Sequence, residues 1–180
     1  LMLTLTLVED QERFRRALQT VIAMTPDLAL GQAFASVGAL REHLQAHPAA
    51  AGGWDVVLMD LELPGESGLE GLRLLKARRP DLPVVMCTVF DDAGSVQAAI
   101  QAGADGYLVK SAPLPELLRR VREARGGGAP LSPEVARGLL EQLRGQAPDE
   151  GHLAVAIDGS AVDLPDGTTV DLRRRQAVRR

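Results

Sequence analysis

The alternation of short apolar runs with stretches of helical periodicity is the feature that most constrains the fold of this chain. Each run is followed by a segment with apolar residues three and four positions apart, as at Phe14, Ala17, Leu18, Val21 and Ile22. Strands that alternate with helices form a parallel sheet with helices on both faces, and right-handed crossovers leave a doubly wound topology. We therefore predict a (βα)5 α/β domain with a doubly wound, parallel, five-stranded sheet over residues 3–125. The predicted strands are Leu3–Val8, Leu28–Ala35, Val56–Met59, Val84–Thr88 and Tyr107–Lys110.

The pattern changes after residue 125. Gly126–Gly128 is a flexible break, and Ser132 followed by Pro133 is typical of a helix N-cap with proline in the first turn. Apolar residues then recur on one side as far as Leu143. We predict a linker over residues 126–151 that contains a helix over 132–143.

The last part of the chain, residues 152–180, has the pattern of a small antiparallel β segment. Its short apolar stretches are separated by Asp158-Gly159 and Asp166-Gly167, dipeptides that favour tight hairpin turns. Residues 173–180 carry five arginines in a helical pattern, and we expect a helix there.

The composition excludes several classes of protein. Acidic residues outnumber basic ones by 24 to 20, and this net charge of −4 disfavours non-specific binding to polyanions. A single cysteine excludes a disulfide framework and a multi-cysteine zinc site. No apolar run reaches the ~18 residues of a membrane span, and the amino terminus lacks the basic region of a secretory signal. We expect Met2 to be the natural start and the natural protein to continue beyond Arg180, where the helical pattern ends without a cap.

Side chains that can carry chemistry gather at the carboxyl ends of the predicted strands, where ligands bind in open α/β sheets. They are Glu9, Asp10, Asp60, Thr88 and Lys110. Two carboxylates ~4 Å apart repel by about 4 kcal/mol at an effective dielectric constant of 20, so a cation or a raised pKa must compensate. Oxygen ligands without histidine or cysteine favour Mg²⁺. A carboxylate beside Mg²⁺ and a lysine can attack an electrophilic phosphorus, so the residues themselves indicate a phosphoacceptor site.

Four motifs, in this order along the chain, resemble the receiver domain of bacterial two-component response regulators. They are Val8–Asp10, Val57–Leu69, Thr88 and Gly103–Lys110. The resemblance covers about residues 3–125 and implies a CheY-like, flavodoxin-like fold. It also implies a cytoplasmic protein of a phosphorelay that is a switch rather than an enzyme, although it catalyses its own phosphorylation and dephosphorylation.

The resemblance implies a role for each residue of the site. Asp60 takes a phosphoryl group from a sensor histidine kinase. Mg²⁺ is held by Asp10, by Asp60 and by the backbone carbonyl of Glu62, with Glu9 acting through a water molecule. Thr88 and Lys110 bind the phosphoryl oxygens. Thr88 and Tyr107 form a switch, in which the aromatic side chain of Tyr107 swings inward when Thr88 moves.

Two positions depart from the family pattern. Ser111 follows Lys110 where the family often has a proline with a cis bond, and a cis bond before a residue other than proline costs about 2.5–4 kcal/mol. Val89 is bulkier than the small residue that commonly follows the threonine, and we expect it to affect access to the phosphoryl group.

The segment after the receiver indicates an output. Residues 152–180 resemble the start of a winged-helix effector domain that would continue beyond Arg180, so we expect a transcription regulator that binds DNA as a phosphorylation-dependent homodimer. Two alternatives stay open: an adaptor that acts through protein contacts or dimerisation without DNA, and a phosphatase with an aspartyl-phosphate intermediate. Such phosphatases usually carry a second aspartate where this chain has Glu62.

Overall fold

The computed structural model describes residues 1–145 and, beyond them, the backbone of four short strands. The chain divides into two compact units, Leu1–Leu139 and Leu140–Arg180. The predicted domain limits of 3–125, 126–151 and 152–180 stay predictions, but the first compact unit includes the linker as far as residue 139.

The first unit is built on five parallel strands in the order β2-β1-β3-β4-β5. The strands are β1 (Leu3–Val8), β2 (Leu28–Phe34), β3 (Val56–Met59), β4 (Val84–Thr88) and β5 (Gly106–Val109). The chain runs from β1 outward to β2 and then returns to β3 on the other side of β1. This reversal of strand order opens a crevice at the carboxyl ends of β1 and β3. The predicted doubly wound, five-stranded parallel sheet is confirmed.

Six α-helices follow the strands or extend the first unit, and several begin at a capping residue that the sequence supplies. Ser36 caps α2 through the amide of Ala39, and Asp92 caps α4 through the amide of Ser95. Ser67 and Glu70 form a capping box at the start of α3. The helices are α1 (Glu12–Ala23), α2 (Val37–Ala46), α3 (Gly68–Arg78), α4 (Ala93–Gln101), α5 (Leu114–Arg125) and α6 (Pro133–Gly145); a short 3₁₀ turn covers Ala50–Gly53.

The core consists of two apolar layers, one on each face of the sheet. The layer with α2, α3 and α4 contains Leu40, Leu72 and Val96, whereas the layer with α1 and α5 contains Leu18 and Leu118. The strands β3, β4 and β5 are buried along their whole length. A sheet covered in this way is rigid, and its carboxyl edge is a fixed platform for side chains.

In the described residues of the second unit, four antiparallel strands lie in the order β6-β7-β8-β9. The strands β6 (Ala154–Val155), β7 (Ala161–Asp163) and β8 (Thr168–Asp171) agree with the predicted antiparallel β segment. The two predicted turns, Asp158-Gly159 and Asp166-Gly167, lie outside the described residues.

The helix predicted over residues 173–180 is wrong, because Gln176–Arg179 forms strand β9 and pairs with β8. Isolated helices shorter than ~12–15 residues are marginal because nucleation is costly, whereas a strand added to an existing edge gains backbone hydrogen bonds at once. The prediction of a winged-helix domain relied partly on this helix.

Candidate acidic phosphoacceptor site

The structure brings five predicted site residues to the carboxyl edge of the sheet. Asp60 follows β3, Thr88 ends β4, Lys110 follows β5, and Glu9 and Asp10 follow β1. Glu9 and Asp60 are buried, with 3% and 5% of their surface exposed, whereas Asp10 is exposed. The site therefore has a buried floor and an open rim.

Three carboxylates converge at this edge. One oxygen each from Glu9, Asp10 and Asp60 lies within 4.8 Å of the other two. With Lys110 as the ammonium beside them, the ionised cluster carries two net negative charges, which one divalent cation would neutralise. The donor set is made of hard oxygen atoms, the ligands that Mg²⁺ prefers, so the residues present fit that ion.

Lys110 is the internal counter-ion of the cluster. Its Nζ lies 2.8 Å from Asp60 Oδ2 and 2.6 Å from Glu9 Oε2. Burial lowers the pKa of Lys110, but its hydrogen bonds to Asp60 and Glu9 outweigh that effect and hold the pKa above its usual value. Burial raises the pKa of Glu9, although the hydrogen bond from Lys110 opposes the increase. The ring of Phe14 on α1 lies 4.7 Å from Lys110 Nζ and shields the ammonium from one side.

The turn between β1 and α1 is held by its own residues. The amide of Gln11 donates to Glu9 Oε1 at 2.8 Å. Arg15 Nη1 donates to the carbonyl oxygens of Glu9 and Asp10, at 2.6 and 3.3 Å. Because these carbonyls belong to the two acidic residues, Arg15 fixes the backbone from which both carboxylates project.

The backbone around Asp60 is fixed just as closely. Its amide donates to the carbonyl of Val8 at 2.9 Å, and the amide of Glu62 donates to Asp60 Oδ1 at 3.4 Å. The first residue of α3, Gly68, packs directly on Asp60: a Cβ there would lie 1.9 Å from the Asp60 carbonyl oxygen. A residue with a side chain at position 68 would displace either α3 or Asp60. The side chain of Glu62 is exposed.

The two predicted switch residues are both fully buried. The hydroxyl of Thr88 accepts a hydrogen bond of 3.5 Å from the amide of Phe90. The phenol of Tyr107 donates to the carbonyl of the same Phe90 at 2.8 Å, and burial raises its pKa above the usual value. Tyr107 is thus already in the inward position, joined to the loop that follows Thr88.

Both departures from the family pattern are visible in the structure. The bond between Lys110 and Ser111 is trans. Val89 is exposed, and its effect on access to Asp60 stays a prediction. In the part of the chain that the structure describes, no helix is both long and apolar enough to cross a bilayer.

A profile of the family described as "Response regulator receiver domain" matches residues 5–122. The chain belongs to this receiver family. The chain is similar to the DNA-binding transcriptional activator DevR/DosR of Mycobacterium tuberculosis, with 34% identity over 158 residues, which cover 87% of this chain and 70% of the relative. It is also similar to the response regulator GacA of Pseudomonas aeruginosa, with 33% identity over 139 residues, 77% of this chain and 62% of that protein.

Solved structures agree with the fold. A two-component response regulator of the LuxR family from Aurantimonas sp. SI85-9A1 superposes with a TM-score of 0.71 and 25% identity, over 80% of this chain and 99% of that one. The response regulator ChrA, from a heme-sensing two-component system, gives a TM-score of 0.61 and 27% identity over 87% of this chain and 71% of that one. The chain thus spans 62% of GacA and 71% of ChrA.

Sequence reasoning missed three residues that support the site: Phe14, Arg15 and Gly68. Phe14 belongs to the helical apolar pattern of α1, and its contact with Lys110 depends on how α1 packs on the sheet. Gly68 is part of the quoted motif, but its packing on Asp60 joins residues eight positions apart. Only the proximity of Arg15 to the acidic pair, on the first turn of a helix, gave any signal.

Proposed function

We propose that this receiver accepts a phosphoryl group on Asp60 from a sensor histidine kinase. The Asp60 carboxylate would attack the phosphorus of a phosphohistidine, the phosphorus–nitrogen bond would break, and the imidazole would leave. The observation that carries the proposal is the convergence of Asp60 with Glu9, Asp10 and Lys110 at one edge of the sheet. Carboxylates are established phosphoryl acceptors in such surroundings.

Mg²⁺ is the cofactor that fits this site. Asp10, Asp60 and the carbonyl of Glu62 would hold the ion. Glu9 would contact it through water, because both of its oxygens are already engaged, Oε2 by Lys110 and Oε1 by the amide of Gln11. The bound ion would neutralise charge on the transferring oxygens. The exposure of Asp10 gives the ion a route from solvent.

Thr88 and Lys110 are the groups proposed to bind the phosphoryl oxygens. Lys110 already contacts Asp60, so its ammonium needs little movement to meet a phosphoryl group there. The hydroxyl of Thr88 would have to turn from Phe90 toward the new acceptor oxygens, which bring about −1.5 to −2 charge. The phenol of Tyr107 is hydrogen-bonded to the same Phe90, so a movement of Thr88 can reach Tyr107 through this residue. Thr88 and Tyr107 therefore form the proposed switch.

The proposed output is regulation of transcription through DNA. Relatives of this chain include proteins named as transcriptional activators and regulators, which supports the proposal. Residues 152–180 would open the effector domain, and a phosphorylation-dependent homodimer would place two such domains on adjacent half-sites. An adaptor without DNA binding is the second candidate, which the exposed Leu140 and Leu143 on α6 favour as a contact surface between proteins.

Three measurements separate these functions: the mass gained from acetyl phosphate, the turnover of a phosphomonoester, and the affinity for DNA. The receiver is incubated with acetyl phosphate and Mg²⁺, and its intact mass and sedimentation are measured. A gain of one phosphoryl group is expected, and steady release of phosphate from a phosphomonoester would instead support the phosphatase. In a longer chain that continues past Arg180, DNA affinity that ignores beryllofluoride, a phosphoryl mimic, would favour the adaptor.

A further inference from the structure

The edge strand β5 is covered by the chain's own linker. The amide of Tyr107 donates to the carbonyl of Pro130 at 2.9 Å, and the carbonyl of Tyr107 accepts from the amide of Ser132 at 3.0 Å, so Leu131 pairs with Tyr107 as a single parallel bridge. The hydroxyl of Ser132 accepts a third hydrogen bond, from the amide of Val109 at 2.8 Å. These contacts satisfy backbone groups that a free edge strand would expose.

Side chains on both partners fit this contact. Val135, with 2% of its surface exposed, belongs to the same apolar cluster as Tyr107, and Leu131 and Leu139 pack against that cluster. Gly106 leaves the space that Pro130 fills, because a Cβ on Gly106 would lie 2.6 Å from the Pro130 carbonyl oxygen. Residues 130–139, the docking segment, are therefore an integral part of the first unit.

The docking segment is joined to the acidic site by a continuous set of contacts. The backbone of Tyr107 is hydrogen-bonded to Pro130 and Ser132, and its phenol is hydrogen-bonded to Phe90. The amide of Phe90 donates a hydrogen bond to the hydroxyl of Thr88, which ends β4 at the acidic edge. The position of Tyr107 thus depends on both Thr88 and the docking segment.

We propose that the docking segment and the inward Tyr107 stabilise each other, so that the docked linker is the element that reads the state of Asp60. The link to the state of Asp60 rests on the proposed function, whereas the mutual stabilisation of Tyr107 and the docking segment does not. Coupling between two sites is reciprocal. A phosphoryl group that draws Thr88 toward Asp60 leaves more room for Tyr107 inside and tightens docking, and loss of docking frees Tyr107 to move outward.

The first test uses Tyr107 as the sole tyrosine of the chain, which gives one signal when labelled with 3-fluorotyrosine. Ser132→Ala, Val135→Ala and Gly106→Val are compared with Leu143→Ala, an exposed position on α6 beyond the docking segment. We expect the first three to speed hydrogen exchange of the residue-132 amide at least tenfold and to add a solvent-exposed fluorine resonance, and the control to do neither.

Two results of this test would overturn the proposal. One is faster exchange with an unchanged fluorine resonance, because release of the segment would then leave Tyr107 in place. The other is unchanged exchange in all three variants, because the named contacts would then not hold the segment.

The second test adds Mg²⁺ and beryllofluoride to the wild-type chain and follows its amides by NMR. Slower exchange of the Ser132 amide, by severalfold, is expected. Shifts around Asp60 with no change at Ser132 would overturn the reading of Asp60 by the linker and leave the proposed function standing. Absence of any shift around Asp60 would instead contradict the proposed function, and the fluorine experiment alone would then decide the mutual stabilisation.

Discussion

The ammonium of Lys110, which follows β5, lies 2.8 Å from Oδ2 of Asp60, which follows β3, so the contact spans the intervening strand β4. This contact occupies one oxygen of the Asp60 carboxylate, while the other accepts only a long hydrogen bond of 3.4 Å from Glu62. The carboxylate is therefore oriented from one side and open on the other. Such a geometry suits a group that must keep its position and still attack an incoming phosphorus.

Asp60 is expected to be the sole phosphoacceptor. Asp60→Asn should abolish the mass gained on incubation with acetyl phosphate and Mg²⁺, because the amide is a poor nucleophile. Glu62→Gln is the matched control, since its side chain is exposed and only its backbone carbonyl is assigned to the site. Intact mass spectrometry measures both, and a phosphoryl adduct on the Asp60→Asn chain would refute the assignment.

Mg²⁺ is expected to bind through the exposed carboxylate of Asp10. Asp10→Asn removes one anionic ligand from the three that converge here and should weaken binding by at least about tenfold. The control is Glu12→Gln, a nearby acidic residue that instead pairs with Arg16 on the surface. An NMR titration of amides at the end of β1 gives both affinities; equal affinities for the two variants would place the metal elsewhere.

Lys110→Met should destabilise the fold in a manner that depends on pH and Mg²⁺. Removing the ammonium leaves Glu9 and Asp60 buried without a counter-ion, a loss of about 3 kcal/mol at pH 8. Burial already raises the pKa of Glu9, and a carboxyl whose pKa is higher in the folded than in the unfolded state loses stability as pH rises through the folded value. The loss should therefore be smaller at pH 5, and Mg²⁺ should restore part of it.

The second lysine of the chain supplies the control. Lys76 pairs with Asp105 and the carbonyl of Leu82, away from the acidic site. Because Lys76→Met leaves the acidic site intact, it should destabilise the fold by the same amount, relative to the wild-type chain, with Mg²⁺ and without it. Urea unfolding of the wild-type chain and both variants at pH 5 and pH 8, with Mg²⁺ or EDTA, measures these losses. A loss of stability that Mg²⁺ changes equally in both variants would disprove the role given to Lys110.

Local pattern was sufficient to predict the strands of the first unit. The strands that hold the site lie within one residue of their predicted limits, because a buried parallel strand is a short apolar run and little else. Strand topology then determines which side chains share an edge, so the sequence alone is enough to group Glu9, Asp60 and Lys110.

Contacts that depend on tertiary packing could not be read in the same way. Ser132 was recognised as the start of a helix, but its hydroxyl accepts from Val109, 23 positions away. No periodicity encodes the bridge between Leu131 and Tyr107, since a single residue pair leaves no pattern. At residues 176–179 the helical pattern gave way to strand pairing with β8, a partner that local propensity does not take into account.

Arg15 provides the last prediction, because it positions the acidic pair without belonging to it. Its guanidinium donates to the carbonyls of Glu9 and Asp10, so Arg15→Ala should loosen the turn and weaken Mg²⁺ binding by about tenfold, the lower end of the effect of removing groups that orient metal ligands. Loss of a positive charge alone would act in the opposite direction and favour the cation. Arg16→Ala separates the two effects, since Arg16 is exposed and pairs with Glu12. We expect Arg16→Ala to leave the affinity unchanged or slightly higher. An Arg15→Ala chain that binds Mg²⁺ as tightly as the Arg16→Ala chain would show that the turn holds its shape without this clamp.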